Sequence, residues 1–143
     1  MFLIFKLSLY ILSYDLWYYV SHIGLHNIYF YTKIHKYHHS VNHNILTYSD
    51  TYVGHYLESC IQGLGLFLPL VWSNIDLSFI YALLFVNLRG MMRHDNRCIP
   101  WIGNHHILHH KYPKYNFGEY WLDYCCGTQC PYVDEYKTGL ISN

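Results

Sequence analysis

Apolar residues run through three stretches of the chain, 2–20, 53–72 and 75–92, and a long polar segment separates the first from the other two. Lys6 and Asp15 interrupt the first stretch, and only Ser73-Asn74 divides the second from the third. This pattern predicts one long helix followed later by a tight helical hairpin. At ~1.5 Å per residue each hairpin arm reaches ~27–30 Å, enough to cross the hydrocarbon core of a bilayer. Pro69 falls near the end of the second stretch, where a kink or stop costs little. A pair of buried helices in a soluble domain is the competing reading, but the remaining chain is too short to cover both. The expected fold is therefore all-α, with about three membrane-embedded helices under a polar cap.

Composition agrees with that picture. Charged residues make up 13 % of the chain, against ~25 % in ordinary soluble domains. Apolar residues reach 52 % and aromatics 20 %, with 17 tyrosines, a balance that favours a membrane interface. Nine basic and nine acidic residues give no net charge, so no nucleic-acid partner is expected. The length fits a single domain, 1–143. No signal-peptide cleavage site follows the N-terminal apolar stretch. Lys33, Lys36, Arg89, Arg93, Arg97, Lys111, Lys114 and Lys137 lie on or next to the segments that carry histidines. Only Lys6 lies elsewhere, and the hairpin tip at 72–76 has no positive charge. By the positive-inside rule the histidines face the cytoplasm and the tip the opposite side. The five cysteines, odd in number, read as reduced thiols. Trp17-Tyr18-Tyr19 reads as an interfacial anchor, and Gly63-Leu-Gly65 as close helix packing.

Twelve histidines change the picture from architecture to chemistry. His22-x-x-x-His26 is followed by His35-Lys-Tyr-His38-His39 and, much later, by His106-Ile-Leu-His109-His110. Helical residues three or four apart share a face, so each box directs two or three imidazoles one way. Three boxes supply more nitrogens than one four-coordinate zinc uses. Without a matching carboxylate or thiolate set, they suit a redox-active iron pair that leaves positions for oxygen. A bis-histidine haem needs only two separated histidines and leaves the boxes unexplained. An inactive protein keeping a structural metal site is the other rival, yet no box is eroded. His43 and His55 lie outside the spacing and read as ordinary histidines. Cys125-Cys126 with Cys130 lacks Cys-x-x-Cys spacing and reads as a thiol cluster. No flavin or nicotinamide glycine motif is present, so electrons must come from outside.

The residues around the boxes resemble the fatty acid hydroxylase/sterol desaturase superfamily. The resemblance rests on Asp15-Leu-Trp-Tyr-Tyr-Val-Ser-His22-Ile-Gly-Leu-His26, His35-Lys-Tyr-His38-His39-Ser40, His55-Tyr-Leu-Glu58 and His94-Asp95-Asn96. It extends through His105-His106-Ile-Leu-His109-His110 to Asn116-Phe-Gly118 and Asp123-Tyr-Cys-Cys-Gly127-Thr128, and looks most like the sterol desaturase branch. The motif-bearing core covers about 14–128.

This resemblance implies a multi-pass membrane enzyme, in the endoplasmic reticulum, with two non-haem irons. Its reaction would be oxygen-dependent hydroxylation or desaturation of a sterol or fatty acyl chain. A b-type cytochrome with its reductase would supply electrons at the basic cytoplasmic face. The implied ligands are His22, His26, His35, His38, His39, His94, His106, His109 and His110. Ile23 stands where many relatives carry arginine, and Gly90 where some carry a further histidine, a place that His105 is the candidate to fill. Relatives also carry additional N-terminal helices. Asp15, Glu58, Asp95 and Asp123 are the candidate carboxylates to accept ring N–H groups from ligand histidines. For Asp123 this requires the chain to turn back after Pro113, which cannot continue the box helix.

Overall fold

In the computed structural model, residues 2–97 and 101–137 are described, and every regular element among them is helical. Cys98 therefore lies outside the described residues. Helix α1 (Phe2–Leu25) is followed by short α2 (Ile28–Lys33) and by 3-10 turns at His35–Ser40, His43–Ile45 and Tyr48–Tyr52. Helices α3 (Tyr56–Phe67) and α4 (Leu77–His94) form the hairpin, and α5 (His105–Lys111) and α6 (Tyr120–Cys126) complete the cap.

α1 packs along both α3 and α4. Tyr10, Leu66, Phe79, Ala82 and Val86 make the buried centre of that three-helix contact. α1 and α3 come close because Gly65 has no side chain: a Cβ there would lie 2.6 Å from the Cβ of Trp17. The same approach lets Ser13 Oγ donate to the Gly65 carbonyl at 2.9 Å and Trp17 Nε1 to that of Ile61 at 2.6 Å. Gly63 meets nothing within 4 Å, so only one of the two glycines does the packing expected of the pair. Trp17-Tyr18-Tyr19 faces inward: Tyr18 and Tyr19 are buried and Trp17 bonds α3. The expected interfacial anchor is thus part of the interior.

The hairpin is tied to α1 at its tip. Asp76 caps α4 through the Ser78 and Phe79 amides and meets Lys6 Nζ at 2.6 Å, while the Tyr10 hydroxyl lies 2.7 Å from Ser73 Oγ. Folding therefore brings a cation to the tip that was expected to carry none. Arg89 and Arg93, counted above as cytoplasmic charges, are buried. Arg89 pairs with Asp15, both arginines reach Glu119 at the start of α6, and Arg93 faces the ring of Tyr18. Two of the charges that set the orientation are thus structural.

The membrane spans also need correction. No helix among the described residues is long and apolar enough to cross a membrane. α3 has only 12 residues before the chain tightens into a Pro69-containing 3-10 turn at Leu68–Val71. α1 and α4 are longer, but Lys6, Asp15 and Arg89 interrupt their apolar character. Their outward faces still expose Ile4, Leu12, Leu16 and Val20 on α1 and Ile80, Leu84 and Leu88 on α4.

Removing one partner from a buried ion pair leaves the other charge uncompensated, at a cost of about 3–5 kcal/mol. Asp15→Ala should therefore lower the chemical denaturation midpoint sharply, whereas Asp134→Ala, exposed on the surface, should change it little. Equal midpoints for the two variants would remove the Asp15–Arg89 pair from the stabilising framework.

Candidate metal centre

All twelve histidines lie among the described residues, and nine of them gather in two adjoining groups. His22, His26, His35, His39 and His109 form one, and His38, His94, His106 and His110 the other. Within each group the candidate ligand nitrogens lie no more than 4.8 Å apart. The groups abut, with the rings of His39 and His110 centred 4.5 Å apart and those of His35 and His38 5.5 Å apart.

The boxes do not each serve one group. His22 and His26, four apart on α1, stay together. The second box is a 3-10 turn, and it sends His35 and His39 to the five-membered group and His38 to the other. α5 divides the opposite way, with His109 in the first group and His106 and His110 in the second. Two boxes thus bridge the groups, where the spacing had implied one direction for each.

Second partners of the rings fix their chemistry. Carbonyl oxygens can only accept, so Nδ1–H donates in four rings: His22 to Phe117 at 2.6 Å, His38 to Val53 at 2.9 Å, His94 to Gly90 at 2.9 Å and His109 to Tyr115 at 2.6 Å. His35 Nδ1 meets Glu58 Oε1 at 2.9 Å in the same sense. Nε2 of each neutral ring is then a bare lone pair directed inward. His38 and His94 bring two such lone pairs to 3.1 Å, and His22 and His35 to 3.0 Å. No hydrogen bond is possible between them in this state, and the contact is repulsive unless a cation lies between.

The spacing itself fits a metal ion. Two imidazoles bound at ~2.1 Å and ~90° place their nitrogens ~3.0 Å apart, whereas tetrahedral angles give ~3.4 Å. The Nε2 separations His26–His35, His39–His35, His26–His109, His39–His109 and His94–His106 are 2.9–3.1 Å. They match adjacent positions around a five- or six-coordinate ion better than tetrahedral zinc.

Burial keeps these rings neutral. It pulls His26 down to about 4 and His39 and His94 to about 3, in each case with a smaller contribution from His38. Burial is also the largest cause of the strong lowering at His22, His106 and His109.

The candidate carboxylates divide. Glu58, buried on α3, orients His35 as expected. Asp15 instead pairs with Arg89, and Asp95 with Arg97. Asp123 is fully buried and does reach the cap, since α5 ends before Pro113 and α6 folds back. It accepts from Phe117 N at 2.9 Å, Gly118 N at 2.8 Å and Thr128 Oγ1 at 2.7 Å. Its ring partner, however, is His105 Nε2 at 2.9 Å, and His105 belongs to neither group. Asp123 therefore acts on the site through the Phe117–Gly118 peptide, whose N–H it holds and whose carbonyl orients His22. Gly118 permits this turn: a Cβ there would lie 2.8 Å from Tyr19. His55 caps α3 at the Leu57 amide, and His43 joins neither group. Cys125 and Cys126 are exposed, Cys130 is buried, and all three are free thiols.

A cavity of about 210 Å³ opens beside the second group. His38, His94 and His106 line one part, and Leu66, Phe67, Leu83 and Val86 another. No spacing rule revealed it, because its walls come from α1, α3, α4 and the Tyr48–Tyr52 turn together.

Histidine boxes converging on two adjoining imidazole groups are an arrangement that can hold metal, and comparison gives the chain its family. The sequence matches the fatty acid hydroxylase family over residues 7–128. The chain belongs to that family, within its sterol desaturase branch. The Delta(7)-sterol 5(6)-desaturase erg31 of Schizosaccharomyces pombe is similar to it, with 31% identity over 124 residues. The aligned part is 80% of this chain and 40% of that protein, so the chain spans well under half the length of its curated relative. No solved structure matches the chain significantly.

Two outcomes follow from this geometry. Asp123→Asn turns one acceptor oxygen into a donor facing donors, so metal affinity should fall about 10–100-fold while His43→Ala leaves it unchanged; competition with a chelator measures both. The folded pKa values of the nine grouped histidines lie below the unfolded value near 6.5, so the unfolded chain binds more protons as pH falls. Stability present above about pH 6.5 should be lost progressively down to about pH 3. A metal-free denaturation midpoint that is flat over that range would contradict the neutral-ring assignment.

Proposed function

We propose that this chain is the catalytic core of a membrane-bound, non-haem di-iron oxidoreductase that uses oxygen to hydroxylate or desaturate a lipid. The observation that carries the reading is the cavity that joins an apolar wall to the four-imidazole group. Nine neutral imidazoles hold iron without cancelling its charge, and the sets of five and four leave more open positions at the second group. That is the group the cavity reaches. Iron, when bound, supplies the oxygen activation and one-electron chemistry that side chains lack.

The chain's own residues provide position and environment. His22, His26, His35, His39 and His109 would hold one ion, and His38, His94, His106 and His110 the other. Backbone carbonyls and Glu58 fix ring orientation, which keeps the donor set in place without rearrangement. Leu66, Phe67, Leu83 and Val86 shape the apolar end of the cavity for hydrocarbon and exclude water from the reacting carbon. Its volume is below the ~300–1,000 Å³ that encloses a whole small molecule. Only the reacting part of a lipid would enter, the remainder lying against the apolar faces of α3 and α4. Those exposed faces support residence in a membrane, in the endoplasmic reticulum by analogy with sterol-modifying relatives, with the boxes toward the cytoplasm. The single-domain organisation over 1–143 is part of the same reading. Lys33, Lys36 and Lys114 are exposed on the cap and provide basic groups for a b-type cytochrome, served by its reductase, to dock and deliver two electrons per turnover.

A structural metal site without catalysis is the second reading, since the same converging imidazoles can hold a metal that does no chemistry. Lipid profiling of cells that express the chain separates the two. A hydroxylated or more unsaturated lipid should accumulate with the wild type and the His43→Ala variant, and vanish with His38→Ala. Identical profiles in all three strains, with the protein present and metal-loaded, would leave only the structural site.

A further inference from the structure

The third box is held from behind by residues 130–137, which lie beyond those matched to the family. This segment runs along the side of α5 that carries no ligand, so that Ile107, Leu108 and Lys111 face Asp134, Glu135 and Lys137 across a cleft. Two buried asparagines fasten it. Asn104 precedes α5, where an asparagine side chain commonly caps a helix, yet it makes no cap bond. Its Nδ2 donates instead to the Glu135 carbonyl at 2.8 Å, and its Oδ1 accepts from the Lys137 amide at 2.8 Å. Asn116 Nδ2 donates to the His105 carbonyl at 3.0 Å, while its Oδ1 accepts from the Cys130 amide at 2.7 Å. Glu135 in turn accepts from Lys111 and Tyr112 at the far end of the helix. The asparagine contacts are all to backbone, so they follow the path of the segment and not its side chains.

We propose that residues 130–137 are a strap that positions the third box for both ions, with Asn104 and the Lys137 amide as its clasp. α5 has seven residues, against the ~12–15 below which an isolated helix is marginal. It nevertheless supplies His109 to the five-membered group and His106 and His110 to the other. Without an ion, the facing lone pairs push these rings apart, and outward movement of α5 relieves them. Metal affinity falls by the fraction of chains in which the ligands are out of place. The clasp opposes that displacement before any metal arrives. Asn104 belongs to neither imidazole group, so it is a positioning residue and not a ligand. The inference rests on the two-ion reading and extends the site to a segment that the histidine spacing does not reach.

The test compares Lys137→Pro with Lys137→Ala in the full chain, purified in detergent. Proline deletes the amide hydrogen that Asn104 accepts. Tyr136, with φ −71° and ψ 129°, already has the extended backbone that precedes proline without strain. Alanine removes the same exposed side chain and keeps the hydrogen. Cobalt(II), titrated against a chelator, is the metal probe, and its visible band reports coordination geometry. Lys137→Pro should weaken both ions about fivefold, the effect of one hydrogen bond, while Lys137→Ala binds both like the unmutated chain. In the metal-free protein, hydrogen exchange across 104–112 should quicken in the proline variant and stay unchanged across α4. Asn104→Leu opens the clasp from the other side and should weaken both ions at least as much. Equal cobalt affinities in the proline and alanine variants, or weakening confined to one ion, overturn the strap and leave the two-ion reading standing. Unchanged affinity in folded Asn104→Leu overturns it as well. Cobalt binding absent from the unmutated chain overturns the two-ion reading and the strap together.

Discussion

Imidazole lone pairs that face one another at about 3 Å repel unless a cation lies between them, and the cap of this protein is built around that constraint. Each Nε2 must be stripped of its proton and then held against its neighbours. The fold does this with backbone carbonyls from segments where they are not consumed by helix bonds. Val53 lies between a 3-10 turn and α3, and Tyr115 and Phe117 lie between α5 and α6. Irregular backbone is therefore not slack in the design: it is the source of the acceptors that set the tautomers. Gly90 is the exception, an i−4 carbonyl that takes the ring of His94 near the end of its own helix. The histidine that some relatives carry at that place would also meet Thr51, whose Oγ1 lies 3.3 Å from a Cβ built on Gly90.

Everything beneath the cap keeps these segments in register. Asp15, Arg89, Arg93 and Glu119 connect α1, α4 and the start of α6, so the helix carrying His94 and the turn that carries Phe117 are held to one frame. Asp123 does the same at short range, gathering two amides, a hydroxyl and His105 around one carboxylate. Asn116, with φ of 59°, adopts a left-handed conformation that asparagine tolerates, and its side chain bonds the His105 carbonyl and the Cys130 amide. The turn after α5 is thus rigid where it orients two ligands of the five-membered group.

Much of this was legible in the sequence, for identifiable reasons. Histidine spacing finds boxes because helical faces repeat every three or four residues, and α5 and the end of α1 follow that rule. Pro113 marks the stop that lets Asp123 return. The division of boxes between two groups was not legible, because i, i+3 and i+4 neighbours point nearly the same way and only tertiary placement separates them. Charge counting failed for Arg89, Arg93 and Lys6 because folding pairs charges that lie 74, 26 and 70 positions from their partners Asp15, Glu119 and Asp76. Hydropathy gave the helices but overstated them as spans, since Pro69 and the buried ion network shorten or interrupt each apolar run. His105 stood next to a ligand in sequence and became the partner of Asp123 instead, a distinction of helix face that one residue decides.

Iron titration of the purified chain, followed by elemental analysis and an optical spectrum, tests the central claim most directly. Two irons per chain without a Soret band are expected, with one iron retained when His94 is replaced by alanine and only the four-imidazole group is damaged. A single zinc that resists replacement by iron, or full loss of metal tightly bound to one site in that variant, would contradict a paired centre.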